Sequence, residues 1–330
     1  MNLQLSKRII WLDSLKGFLM LLVIFGHCTK AGADNYFIAH VNNALSSIAM
    51  PGFMACSGWL AQSGGGRFIR RFKQLIIPYF LWSVLYYFTE AKYNDKSIYD
   101  IFFKPDSFMW FLWALFWIFC VFEVCKWISS KFRINGTLII LFMALLLMAI
   151  MVILDLRVLG IQFISYYFLF YSLGYFYRSF KQIQINSIFA IVTFFTLWAF
   201  LAYFWSMHGL PYWIPSNTMI PSSILQYLYR GFTSVVGVIL LFALFSKFLN
   251  KEGLLVNRLY VHCGKISLGL YVVHITIKDK IYEVISTMIP NLNIYMFVLL
   301  DFFIVLTFSY IIVIVLGKFE FTNQYLLGKF

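Results

Sequence analysis

The sequence is short of charge. Asp, Glu, Lys and Arg make up 12% of its 330 residues, against about 25% in an ordinary soluble domain. Acidic residues are the scarcer sign, 13 against 26 Lys and Arg. So little charge excludes a soluble enzyme, a disordered chain and a free nucleic-acid binder, all of which need a polar surface. Cysteine is sparse too. Cys28, Cys56, Cys120, Cys125 and Cys263 form an odd set within or beside apolar segments, which gives no disulfide framework and no metal-ligand spacing. They read as soft packing residues. No P-loop, HExxH, GxSxG or GxGxxG stands in a suitable context, so the usual soluble nucleotide-binding and hydrolase signatures are missing. There is no internal repeat and no low-complexity tract. The first apolar run reaches His27 without an A-x-A-type cleavage site, so it is expected to stay as a membrane anchor.

What the chain has in excess is apolar surface. Hydrophobic residues account for 62%, aromatics for 21%, and the mean hydropathy is +0.82. A membrane-spanning helix uses about 20 apolar residues. Apolar runs predict spans near 10–30, 44–62, 75–91, 108–128, 137–154, 160–177, 186–206, 222–246, 264–285 and 294–317. Pro51 interrupts the second, and the ninth is charged at its far end. The expectation is an all-α polytopic membrane protein with about ten transmembrane helices, a single domain over 1–330 and a short cytoplasmic tail from about 318. Cytoplasmic loops collect Lys and Arg. With the N-terminus inside, seventeen of the 26 basic residues fall on the inner side and seven on the outer, while Lys16 and Arg230 lie within spans. Both termini are therefore expected in the cytoplasm, and the excess positive charge needs no nucleic acid.

Ionisable residues inside a membrane are costly and usually face the bundle interior or a watery cavity. Here they are Asp13, Lys16, His27, Glu123, Arg230, His274 and Asp301. Lys16 and His27 are eleven residues apart; at 100° per residue they end only about 20° past three full turns, roughly 16 Å apart along one helix face. One stripe thus carries a cation toward the inner leaflet and a titratable base toward the outer. The plain alternative is that Lys16 snorkels to the inner headgroups and His27 rests at the interface.

Lys16, ten intervening residues and His27 resemble the Arg/Lys-x10-His motif of the acyltransferase-3 family of integral-membrane acyltransferases. The LDSLKG…GH wording is closest to the fucose 4-O-acetylase-like branch. Further stretches are similar in order: Met50–Leu60 (MPGFMACSGWL), the basic residues from Arg67 followed by IPY ending at Tyr79, Met109-Trp110-Phe111-Leu112, and SLGLYVVH ending at His274. Arg67-Phe68-Ile69-Arg70 has the form of the family's RxxR pair, although Arg70 to Lys73 better fits the distance to Pro78. The esterase-like domain that some members carry is not expected here, so the chain is expected to complete transfer alone or hand its acyl group to a separate partner.

The resemblance implies transfer of an acyl group, usually acetyl, from cytosolic acyl-CoA to a hydroxyl of an extracytoplasmic or lipid-linked glycan, in a bacterial cytoplasmic membrane. A sugar hydroxyl needs a base, and His27 is the candidate; an activated thioester requires no metal. Asp301 is a candidate to orient the imidazole from across the bundle. Lys16 is expected to meet donor phosphates or Asp13. The cluster Arg67, Arg70, Arg71 and Lys73, after Gly64-Gly65-Gly66, is a candidate CoA site, against the bland reading of an ordinary basic inner loop. Arg230 either holds the acceptor, polarises the thioester carbonyl or pairs with Asp301. Ser57-Gly58 reads as a packing device, Glu123 as a partner of Lys126, and His274 as either cavity-lining or structural. The competing class is a multi-pass transporter or flippase for a polysaccharide precursor. Oligomeric state and glycan-assembly partners stay open.

Overall fold

The computed structural model describes residues 9–61, 67–90, 95–105, 108–154, 158–180, 185, 187–206, 209–214, 221–250 and 255–330. Among them every regular element is helical. Ten long helices fall on the ten expected intervals: α1 (Ile10–Cys28), α2 (Tyr36–Trp59), α3 (Arg67–Thr89), α5 (Trp110–Phe132), α6 (Gly136–Leu154), α7 (Ile161–Ser179), α8 (Ile188–Tyr203), α9 (Ser222–Phe248), α11 (Ser267–Met288) and α12 (Ile294–Leu316). Three short ones join them: α4 (Asp100–Phe103), α10 (Leu255–Lys265) and α13 (Glu320–Tyr325).

Among the described residues five segments are long and apolar enough to cross a membrane by length and composition: Ile10–Cys28, Trp110–Phe132, Val158–Ser179, Ser222–Phe248 and Ile294–Leu316. The chain is a polytopic membrane protein in outline. The other long helices differ for local reasons. The 16 residues of α8 give about 24 Å at 1.5 Å per residue, short of a hydrocarbon core of about 30 Å. α3 opens on four cations, and α11 carries Lys278, Asp279, Lys280 and Glu283 toward its end.

Two helices start earlier than apolar runs suggest. α2 begins at Tyr36, capped by the Asn35 side chain accepting from Ile38 N at 3.1 Å, and runs unbroken through buried Pro51. A proline costs a helix one hydrogen bond, yet does not end it where neighbours surround the freed group. α3 takes the basic residues from Arg67 into its first turns.

α1 is the hub, packed against α2, α9, α10, α11 and α12. Leu12, Leu15, Leu19, Met20 and Ile24 on it are essentially inaccessible. Its contact with α10 is nearly backbone to backbone: a Cβ on Gly17 would stand 1.8 Å from the Tyr260 carbonyl oxygen, and one on Gly264 1.9 Å from that of Asp13. The buried Ser14 hydroxyl hydrogen-bonds Asn257 across this seam. α2 meets α7 the same way through Gly58 and Gly174, while the Ser57 hydroxyl donates to Phe53 O at 3.0 Å. Small residues that let helices approach are the usual glue of membrane bundles, where hydrophobicity alone does not drive association. Lipid-facing surfaces are apolar: Leu138, Phe142 and Leu145 of α6 and Phe189 of α8 are all exposed.

Candidate active site

The central position of α1 decides what its polar residues can meet. Lys16 is half-buried, with Nζ 3.5 Å from Asp13 Oδ1 one turn back, the pairing that their i,i+3 spacing suggests. His27, at the other end of the same face, is exposed where it opens onto two cavities. Its ring stands 5.3 Å from that of His274 on α11, centroid to centroid. His274 is wholly buried, and its Nδ1 is 2.8 Å from the Leu270 carbonyl oxygen. A carbonyl only accepts, so Nδ1 carries the proton and Nε2 presents a lone pair. That Nε2 has no hydrogen-bond partner within the described protein. One turn further along α11, Lys278 and Asp279 pair at 2.7 Å, and Lys278 shares a cavity with His27.

Four cavities adjoin one another, and α1 lines three of them. The first, 230 Å³, is lined by Arg71, Lys265, Ser267 and the tail residues Leu327 to Lys329. The second, 170 Å³, holds Lys16, Ser57 and Arg71, and shares Arg71, Ser267 and Leu268 with the first. The third is the largest, 490 Å³, and contains His27 with Asn42, Tyr86, Trp110 and Tyr167; Met50 and Tyr271 line both it and the second. The fourth, 400 Å³, shares Gly26, His27 and Asn42 with the third and adds Lys278. Trp110 stacks on Phe163 at 4.4 Å and on Tyr167 at 5.3 Å, making a flat aromatic wall beside the His27 cavity.

The remaining candidates are more dispersed. Among the described side chains of the basic cluster, Arg71 is the member that reaches the cavities. Arg70 and Lys73 are exposed, with Lys73 Nζ 5.8 Å from the Phe330 ring. Arg67 begins α3, but its side chain and Gly64-Gly65-Gly66 lie outside the described residues. Asp301 is buried against the Cys28 thiol, next to His27 in sequence, and its Oδ1 has no hydrogen-bond partner. Arg230 stands apart, its guanidinium 5.4 Å from the rings of Tyr166 and Trp205 and 5.8 Å from that of Tyr227. It does not line these four cavities, although Tyr166 touches Tyr167, which does. Glu123 pairs with Lys126 at 2.6 Å. All five cysteines are free thiols.

The family model described as an acyltransferase domain, acyltransferase-3, matches residues 9–318, nearly the whole chain. The chain belongs to the acyltransferase-3 family. It is also similar to the nodulation protein NolL of Sinorhizobium fredii, 29% identical over 132 residues, which is 33% of this chain and 34% of that one. NolL of Mesorhizobium japonicum is 27% identical over 138 residues, 36% of each. The chain thus spans about a third of the length of these curated relatives. No solved structure matches.

Membership makes this a membrane protein of an acyltransferase family, and the motif stretches lie along the cavities. Lys16 and His27 of the first motif line the second and third, Met50 and Ser57 come from MPGFMACSGWL, and Tyr271 and His274 come from SLGLYVVH. Sequence reasoning left the closeness of His274 to His27 unseen, as well as the Lys278–Asp279 pair. A signal existed: His274 and Lys278 are four residues apart, one turn on a single helix face.

Proposed function

We propose that the protein is a multi-pass O-acyltransferase, with O-acetyl transfer the leading case. It moves an acyl group from cytosolic acyl-CoA to a hydroxyl of an extracytoplasmic or lipid-linked glycan. The observation that carries this reading is the row of cavities along one face of α1, from Lys16 and Arg71 to His27. In the reading all ten long helices span a bacterial cytoplasmic membrane, both termini face the cytoplasm, and the His27 end lies toward the outer surface. The asymmetry of Lys and Arg supports that orientation.

The chemistry follows from the side chains. Lys16 and Arg71 hold the anionic end of the donor. The thioester arm passes between Met50 and Tyr271, which line both the second and third cavities. The roughly 16 Å between Lys16 and His27 along the helix suits a long, thin arm better than a compact substrate. His27 takes the proton of the acceptor hydroxyl as that oxygen attacks the thioester carbonyl, and the CoA thiolate leaves. A base works best when a neighbour fixes its orientation and tautomer. His274 fills that positioning role: its own tautomer is set by Leu270, leaving Nε2 free to accept from the His27 ring. Asp301, packed against the Cys28 thiol, supports the same turn of α1 and helps orient His27 from across the bundle. The aromatic wall of Trp110 and Tyr167 offers apolar faces for a sugar ring.

The test compares surface glycans by mass spectrometry from cells with the wild type, His27→Ala or no protein. The expected result is an acetyl-sized mass increment with the wild type alone, at equal membrane levels of both proteins. A row of cavities also suits a flippase for a polysaccharide precursor. That reading gains if purified protein in vesicles moves a lipid-linked sugar without acyl-CoA and His27→Ala leaves glycan acylation intact.

A further inference from the structure

At the Lys16 end, the C-terminal tail closes back on the bundle. The Trp82 indole Nε1 donates to the Leu326 carbonyl oxygen at 2.9 Å, and Leu327 is 2% exposed. Gly328 follows with a φ of +64°, in the left-handed region that favours glycine. A Cβ there would stand 2.5 Å from the Gln74 carbonyl oxygen, so the tail backbone lies directly on α3. The result is the 230 Å³ cleft. It carries three cations from three separate elements, Arg71 of α3, Lys265 of α10 and Lys329 of the tail, and no carboxylate among its lining residues. The first turn of the 22-residue α11, Ser267 to Gly269, forms its floor and adds the positive end of a helix dipole. Neither Lys265 nor Lys329 belongs to the motifs shared with the family, and the cavity beyond shares Arg71, Ser267 and Leu268 with this one.

We propose that this cleft binds the diphosphate of the acyl donor, so that the C-terminal tail is part of the donor site. The inference rests on the acyl-transfer reading for the identity of the donor. A diphosphate supplies several acceptor oxygens and at least two negative charges, matched by one forked guanidinium and two ammonium groups. Arg71, lining both cavities, then sits where the phosphates end and the thin arm begins. An anionic lipid headgroup has the same phosphate chemistry and reaches the same leaflet, so the experiment separates the two sources.

The full-length protein in neutral detergent is titrated with coenzyme A, with and without inorganic pyrophosphate or phosphatidylglycerol. Pyrophosphate is expected to compete and phosphatidylglycerol is not. Lys265→Ala and Lys329→Ala, both exposed positions, are each expected to weaken coenzyme A binding about tenfold, the scale of one hydrogen bond to a charged group. Lys265→Arg and Lys329→Arg are expected to retain it. The affinity is expected to fall as salt rises. Wild-type affinity in the double alanine variant overturns the cleft and leaves the transferase reading standing. So does displacement of coenzyme A by phosphatidylglycerol with no effect of pyrophosphate. A wild type that binds no coenzyme A overturns both.

Discussion

At one end of α1 there is almost no room. Gly17 and Gly264 bring two helix backbones together, Lys16 is tied to Asp13, and the adjoining cavities measure 170 and 230 Å³. At the other end His27 opens onto 490 and 400 Å³, beside an aromatic wall. The narrow end is basic and the wide end is aromatic and carries the paired imidazoles. That difference fits a reaction whose two substrates are unlike: a slender phosphorylated arm from one side, a bulky ring from the other. A symmetric carrier pathway has no reason to taper.

The sharpest way to break the comparison is to disable each end alone. His27→Ala is expected to lower kcat by about 10²–10⁴-fold, the range of a lost general base, while donor affinity stays unchanged in a direct coenzyme A titration. Lys16→Ala is expected to do the reverse, raising the donor KM about tenfold with kcat within a few-fold. If both variants change the same parameter, the two ends do not have separate duties. His274→Ala is next in size, with kcat down about 10–100-fold as His27 loses its orientation. His274→Gln, whose amide carries an acceptor near the place of Nε2, is expected to recover much of it. A purely structural role for His274 would instead lower thermal stability equally in both.

The close end can be tested by stability. Gly17→Ala is expected to cost about 1–3 kcal/mol by forcing α1 away from α10, read as a lower melting temperature in detergent. Gly231→Ala, on α9 where an added Cβ meets nothing within 4 Å, is expected to stabilise by about 0.5–1 kcal/mol. A similar response at both sites would mean that the backbone seam is not rigid.

How much of this the sequence announces depends on what kind of pattern carries it. The ten helices were legible from apolar runs, and the shared face of Lys16 and His27 from helical period alone. The starts of α2 and α3 were not, because helix hydrogen bonding continues through Tyr36 to Asn43 and Arg67 to Lys73, where hydropathy falls. α10 escaped notice because it is 11 residues long and half polar, too short for a span. Among the described cations of the cluster, Arg70, Arg71 and Lys73, nothing in the order of residues marks Arg71 as the one that reaches the cavities; that depends on the rotation of α3 against α5 and α11. The ring cage of Arg230 draws on α7, the segment after α8, and α9 itself, a meeting written only in three dimensions. The pairing of His27 with His274 across 247 positions of chain is of the same kind.

The place of Met50 and Tyr271 between two cavities has a consequence beyond catalysis. A membrane that stores an ion gradient cannot tolerate a wetted track through one of its proteins. A thioether and a phenol ring whose hydroxyl is engaged by Phe111 N at 3.4 Å stand where the second and third cavities share their lining. On the proposed reading, they close around a threaded acyl chain and narrow the path open to protons when none is bound. On that reading the protein is a seal as well as a catalyst, and the two demands meet between Met50 and Tyr271.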